Sequence, residues 1–223
     1  MRIALFDVDG TLTTTRVWEG IMAYFREHGL RPWTHRFFWV YHIPIYLLRG
    51  LGLVSEGHAR APWAAHLAWY VRGYSLSQAQ QVWDWVVENF LVHHWRADTR
   101  ALLDGHRRSG DLIVLVSGGP VPLLQRIAGE LDLQHVVGTQ FEMRNDHYTG
   151  RSLQPVCLDE NKALLAKNYL RDQGIDVDFF SSYAYGDSIS DLQLLELVGH
   201  PVAVYPDGRL RAVAIQRDWG IFP

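Results

Sequence analysis

The sequence predicts an α/β protein, a Rossmann-like parallel sheet core with helices on both faces and an inserted α-helical cap domain. Three observations predict it. Short unbroken apolar runs, "RIALFDV" from Arg2 and "DLIVLVSGG" from Asp111, end in acids or small residues, as strands buried on both faces do. Segments of helix length separate the later runs of this kind, the alternation a parallel sheet requires. The stretch over residues 14–90 breaks the alternation: it is rich in Trp, Tyr, His and Arg and shows helical spacing in "SQAQQVWDWVVENF", with no convincing strand pattern.

Taken in order, the first strand is expected in the run over residues 2–8 and the second in the run over residues 111–119, each run ending in an acid or small residues. Three more are expected in "HVVG" from His135, "SSYAYGD" from Ser181 and "HPVAVY" from His200. Helices are expected over residues 121–131, 161–173 and 189–198. "FEMRNDHYTGRSL" from Phe141, turning at Asn145 and Asp146, reads as a small hairpin attached to the core. The core is thus residues 1–13 and 91–223, and the cap is residues 14–90. The most apolar part of the cap, "FFWVYHIPIYLLRGLGLV" from Phe37, is interrupted by His42, Pro44 and Arg49 and falls short of the roughly 20 residues a membrane-spanning helix needs. A buried cap helix is the expectation there, with a surface for lipid or for a hydrophobic substrate tail as the alternative.

With 223 residues, 48% hydrophobic and 20% charged, the chain has enough apolar material for one core and an insert. A formal charge of -3 provides no basic face for nucleic-acid phosphates, so DNA and RNA are not expected partners. The single cysteine, Cys157, excludes an internal disulfide, and a core strand follows Met1 at once, so a cytoplasmic location is expected. Only Lys162 and Lys167 can supply an ammonium group.

Ligands of an open parallel sheet bind at the carboxyl ends of its strands. That rule gathers Asp7 and Asp9 of "FDVDGTLT", Ser117 and Gly118 after the second strand, and Asp187 and Asp191 of "YGDSISD", with Lys162 opening a helix. Several carboxylates around one point demand a cation, and oxygen donors without His or Cys favour Mg²⁺, which shares its shell with phosphate. Asp7 can hold such an ion and attack phosphorus, while Lys162 screens the charge on both partners. The backbone at Gly118 and the hydroxyls of Ser117 and Thr11 are phosphate-binding candidates. Asp9 cannot attack the same phosphorus, so it is assigned to proton transfer with the leaving oxygen and the attacking water.

Together "DVDGT", the Ser after the second strand, the Lys heading a later helix and "GDSISD" resemble, in order, the motifs of the haloacid dehalogenase superfamily. The helical insert after the first motif and "HPVAVYPDGRLRAVAIQRDWGI" resemble its phosphoserine-phosphatase-like branch. The resemblance implies a Mg²⁺-dependent phosphatase with Asp7 as the phosphorylated nucleophile and Asp9 as acid/base and, through its backbone carbonyl, metal ligand. It further implies Ser117 and Lys162 on phosphate, Asp187 on Mg²⁺ and Asp191 in support. In that branch an acid follows the nucleophile by about nine residues; here Arg16 stands there, with Glu19 further on, so phosphoserine is not the expected substrate. Arg16, Trp18 and Glu19 lead from the first motif into the insert and are the specificity candidates.

The expected substrate is a small phosphate monoester, with a hydrophobic tail as an added possibility. Two other readings are a phosphoryl-accepting receiver-type signalling domain, and a protein of this fold whose Trp-rich cap mainly binds lipid or a protein partner. A receiver gathers its acids before the phosphorylated Asp and needs neither the acid two residues later nor the insert. The pair His93 and His94 lacks the spaced partners of a zinc site.

Overall fold

Strand β1 (Ile3–Phe6) is buried at every position, and its side chains alternate between two apolar clusters: Ile3 and Leu5 enter one, Ala4 and Phe6 the other. That period of two on a strand covered from both sides explains the unbroken apolar run. The computed structural model describes residues 1–223, the side chains of residues 56 and 58 excepted. Its strands continue with β2 (Leu112–Pro120), β3 (His135–Thr139), β4 (Phe141–Arg144), β5 (His147–Ser152), β6 (Tyr183–Gly186), β7 (His200–Val204) and β8 (Gly220–Phe222). Among the described residues, six strands form one sheet in the order β3-β2-β1-β6-β7-β8, every pair parallel. β4 and β5 form the expected antiparallel hairpin. The chain steps from β1 outward to β2 on one side and later returns beside β1 with β6, so the strand order reverses there and opens a crevice at the carboxyl ends.

The helices are α1 (Val17–Glu27), α2 (Pro32–Gly50), α3 (Glu56–His66), α4 (Leu76–Trp85), α5 (Ala97–Arg108), α6 (Val121–Glu130), α7 (Glu160–Asp172), α8 (Leu192–Leu195) and α9 (Gly208–Gln216). One face of the sheet carries Leu103 of α5 and Leu123, Leu124 and Ile127 of α6. The other carries Ala166 and Leu170 of α7, Leu194 and Leu195 of α8, and Leu210 and Ala214 of α9. The first cluster continues without a break into the insert through Val17, Ile21 and Phe25 of α1 to Tyr70 and Trp83. The chain leaves and re-enters the sheet region at neighbouring points, where Thr13 bridges Trp95 and the Arg96 N–H donates to the Leu12 carbonyl at 2.9 Å.

Three expectations change. The single helix over residues 189–198 is a 3-10 turn, Ile189–Asp191, followed by the one-turn α8; a capping box between Ser188 and Asp191 restarts the backbone there. Ser117 and Gly118 do not follow β2 but lie inside it, where the register against β3 shifts between Val116 and Pro120, as a bulge does. The buried cap helix is not buried: α2 has 19 residues, of which only Phe38 and His42 are fully covered. Among the described residues, no helix is long and apolar enough to cross a membrane.

Candidate active site

The crevice at the switch point holds one buried ammonium between carboxylates. Lys162, third residue of α7 and 3% exposed, donates to Asp7 Oδ1 at 2.6 Å and to Asp191 Oδ1 at 2.5 Å. Lys167 is exposed on the same helix, which leaves Lys162 as the ammonium of the site. Thr11 Oγ1 donates to Asp7 Oδ2 at 3.0 Å, so both oxygens of Asp7 are oriented by a neighbour. Asp191 is oriented likewise, because its Oδ2 accepts from the Ser188 N–H at 3.2 Å and the Ser188 hydroxyl at 3.1 Å. Asp187 follows β6, and carboxylate oxygens of Asp7, Asp187 and Asp191 all lie within 4.8 Å of one another.

One ammonium does not neutralise this group. Burial, opposed by Lys162, pushes Asp7 up to about 6, and burial with repulsion from Asp7 pushes Asp187 up to about 8. Lys162 is held well above its ordinary value by the two carboxylates, against the effect of its burial. Three carboxylate donors with a surplus of negative charge and no imidazole or thiol in the group fit a hard divalent cation such as Mg²⁺.

Asp9 stands apart from that group. Its Oδ1 accepts from the N–H of Val17 at 2.8 Å, the first residue of α1, where a helix leaves an N–H unpaired. Arg16, the cap residue of α1, makes no side-chain capping bond, so Asp9 serves that end from across the crevice. Burial, then repulsion from Asp7, pushes Asp9 up to about 7, where a carboxyl group is poised to give or take a proton near neutrality. The two acids of "DVDGT" thus occupy different surroundings on neighbouring turns of one loop.

Gly10 makes that loop possible. Its φ is +86°, and a Cβ there would sit 2.1 Å from Asp187 Oδ2. Gly10→Ala is expected to displace Asp187 and lower stability by about 2 kcal/mol, the usual scale for one strained left-handed residue. For a chain of this size that is a fall in Tm of roughly 4–8 °C, readable by calorimetry; an unchanged Tm would contradict the close approach.

Beside the carboxylates lies a cavity of about 500 Å³ whose walls come from both the sheet and the insert. Gly118, Gly119, Asp9 and Ser188 line it, together with Arg16 and Trp18 of the sequence-predicted set. Ser117 is buried, its Oγ accepting from the Gly119 N–H at 3.2 Å. Glu19 is not among the lining residues; its Oε2 accepts from the Thr15 hydroxyl at 2.6 Å. Sequence reasoning missed the far wall: Trp39, Tyr46 and Arg49 of α2, and Arg60 and Trp63 of α3. No local spacing marks those residues, since two helices bring them together. Asp207 was missed too, although "PDG" is a helix-start signal; it lines the cavity and caps α9 through the Leu210 N–H at 2.7 Å.

A family model described as haloacid dehalogenase-like hydrolase matches residues 4–196, and the chain belongs to that family. A histidinol-phosphatase from Neisseria meningitidis serogroup C is 28% identical over 158 residues, 70% of this chain and 71% of that protein. Phosphoserine phosphatase SerB1 from Mycobacterium tuberculosis is 28% identical over 224 residues, 98% of this chain and 69% of that protein. Among solved structures, a protein of unknown function from Bordetella pertussis Tohama I has a TM-score of 0.83 at 24% identity, covering 100% of this chain and 98% of that one. A substrate-bound phosphoserine phosphatase has a TM-score of 0.63 at 16% identity, covering 100% and 93%. These likenesses share the fold, and the expected enzyme class, a phosphatase, agrees with the names of the sequence relatives.

Proposed function

We propose that this protein hydrolyses a phosphate monoester through an aspartyl-phosphate on Asp7, with Mg²⁺ as cofactor and residues 14–90 as a cap over the cavity. The observation that carries the reading is the buried ammonium of Lys162 bridging Asp7 and Asp191 beside Asp187. Asp7, Asp187 and the Asp9 backbone carbonyl are the candidates to hold Mg²⁺, with Asp191 in support. Bound there, the ion supplies charge that offsets the negative phosphate as it approaches a carboxylate.

Thr11 and Lys162 set the torsion of Asp7 so that one oxygen attacks phosphorus as the ester P–O bond breaks. Asp9, half-buried at the cavity and with its proton affinity raised by burial and by Asp7, gives its proton to the leaving oxygen. Water then attacks the aspartyl-phosphate, its proton passes to Asp9, and inorganic phosphate leaves with the Asp7 carboxylate restored. Ser117, buried beside the cavity, and the Gly118 backbone are the candidates to hold phosphate oxygens. A receiver-type domain needs no cavity walled by a helical insert beside its acceptor aspartate, so the 500 Å³ space supports an enzyme with a substrate.

Hydrolysis of an aryl phosphate is the direct test: it should require Mg²⁺ and stop in excess chelator, and full turnover in chelator would refute the reading. Protons give a second readout. Without metal, the folded protein keeps protons on Asp7, Asp9 and Asp187 up to about 6, 7 and 8, whereas unfolded carboxylates ionise near about 3.9. The folded state therefore binds more protons between about pH 4 and 8, and the metal-free protein loses stability as pH rises through that window. Mg²⁺ needs the ionised forms, so the gain in Tm from millimolar Mg²⁺ should be larger at pH 8 than at pH 6. An equal gain at both would count against carboxylate ligands.

The cavity wall also bears on the substrate. Trp18, Trp39, Trp63 and Tyr46 offer aromatic faces, and Arg16, Arg49 and Arg60 offer positive charge, a setting for a leaving group with an apolar body and an acidic substituent. Phosphoserine would leave most of that wall unfilled. In a phosphate-ester screen, an aromatic or amphipathic ester should exceed phosphoserine by tenfold or more in kcat/KM, about 1.4 kcal/mol of transition-state preference. Phosphoserine as the best substrate would refute this assignment.

A further inference from the structure

We propose that the outer face of α2 rests on an anionic lipid surface and holds the cavity mouth at the membrane boundary. The helix is apolar on the wrong side. Phe38 and His42 face inward and are buried, yet Trp33, Phe37, Val40, Tyr41, Leu47, Leu48 and Leu51 are all exposed. Their spacing of i, i+4, i+7, i+8, i+14, i+15 and i+18 places them on one stripe opposite the buried pair. The stripe runs about 27 Å at 1.5 Å per residue. Trp33 is 76% exposed, Leu47 65% and Leu51 73%, and Leu53 prolongs the patch just beyond the helix. Outward faces of helices in water are polar, and contiguous apolar patches of this extent mark a surface that something covers.

Charge identifies what covers it. Residues 28–55 contain no Asp or Glu, while Arg31, Arg36 and Arg49 are present. Arg36 packs over the Trp33 ring, so a guanidinium borders the stripe near its first turn, and Arg49 packs over the Tyr46 ring on the cavity side of the same helix. A second copy of the chain, paired through this face, would enclose Arg36 of each helix with no acid on either helix to neutralise it. Anionic headgroups complement that pattern, and aromatic side chains beside arginines suit the boundary between headgroups and acyl chains. The helix does not meet the requirements for crossing a bilayer, which leaves it lying on one. Ile43, Tyr46 and Arg49 of the same helix line the cavity, so an amphipathic molecule in the bilayer would meet the cavity without crossing open water.

Co-sedimentation of the full chain with vesicles of phosphatidylcholine and phosphatidylglycerol, and of phosphatidylcholine alone, tests the proposal. Binding to the anionic vesicles is expected, weakened by salt, with little binding to the neutral ones. The double variant Leu47→Glu/Leu51→Glu should lower the bound fraction at least tenfold while Tm and hydrolysis of a soluble aryl phosphate without vesicles stay at wild-type values. Arg36→Glu should weaken binding about fivefold or more, the scale of one basic residue at an anionic surface, and reads the charge contribution independently of the leucine variant. Absence of wild-type binding, or binding undiminished in either variant, would overturn the proposal. So would a dimer in sedimentation velocity that Leu47→Glu/Leu51→Glu dissociates, since the face would then belong to a second copy. Loss of aryl phosphate hydrolysis by wild type would instead strike the enzymatic reading and leave the docking result standing.

Discussion

Asp7→Asn should reduce turnover of any phosphate ester to background, a loss on the order of 10⁶ if it follows other enzymes deprived of a covalent nucleophile. The amide keeps the shape of the side chain and an oxygen to accept from Thr11 Oγ1, but it cannot form the acyl phosphate. Lys162 would keep its second partner, Asp191, so the ammonium would not be left uncompensated in the interior. Near-UV circular dichroism, dominated by nine Trp, should therefore match wild type and separate lost chemistry from lost folding. Phosphorylation by a labelled substrate, trapped in acid, should appear in wild type and not in the variant. Full turnover by Asp7→Asn would end the aspartyl-phosphate mechanism.

Asp9→Asn should cost about 10²–10⁴ in kcat, the usual contribution of general acid-base catalysis. Its amide oxygen can still accept from the Val17 N–H, as Asp9 Oδ1 does at 2.8 Å, and the backbone carbonyl is unchanged. The loss should depend on the leaving group. An aryl phosphate leaves as a weak base and needs little protonation, so its first step should suffer less than that of an alkyl phosphate. Hydrolysis of the intermediate would remain slow because the water has lost its base. Rapid-quench kinetics with an aryl phosphate should then show a burst of one phenol per enzyme followed by a slow steady state. Equal losses on both ester types with no burst would reduce Asp9 to a helix-capping residue.

Most of the sheet was legible because buried parallel strands are written as unbroken apolar runs: β1, β6 and β7 lie within the expected segments, and β2 and β3 run one residue past theirs. β8 was not, since three residues, two of them exposed, leave no such run. α5 and α9 were missed because each buries only two side chains, Thr99 with Leu103 and Leu210 with Ala214, too few to print an apolar period on the sequence. The heart of the site was legible for another reason. Asp7, Lys162, Asp187 and Asp191 each sit at a strand end or a helix start, positions that local signals mark, and the sheet brings them to one point. The cavity wall had no such marker: Trp39 and Trp63 are 24 positions apart, and only the packing of α2 on α3 brings their rings to 5.5 Å. Hydrophobicity alone also could not say that the most apolar segment of the chain lies outside rather than inside, because burial depends on what packs against a helix and not on its composition.

The hydrogen bond from Val17 to Asp9 has a thermodynamic corollary. It favours the ionised form of Asp9, opposing the burial that raises its proton affinity. Swinging α1 away from the end of β1 would remove that donor and also part of the burial, two effects of opposite sign on the proton affinity of Asp9. Linkage makes the relation reciprocal: by whatever amount seating α1 changes the proton affinity of Asp9, gain or loss of that proton must change the seating of α1 by the same free energy. Helix position and protonation are therefore two readings of one equilibrium, and a spectroscopic reporter on α1 should titrate with Asp9.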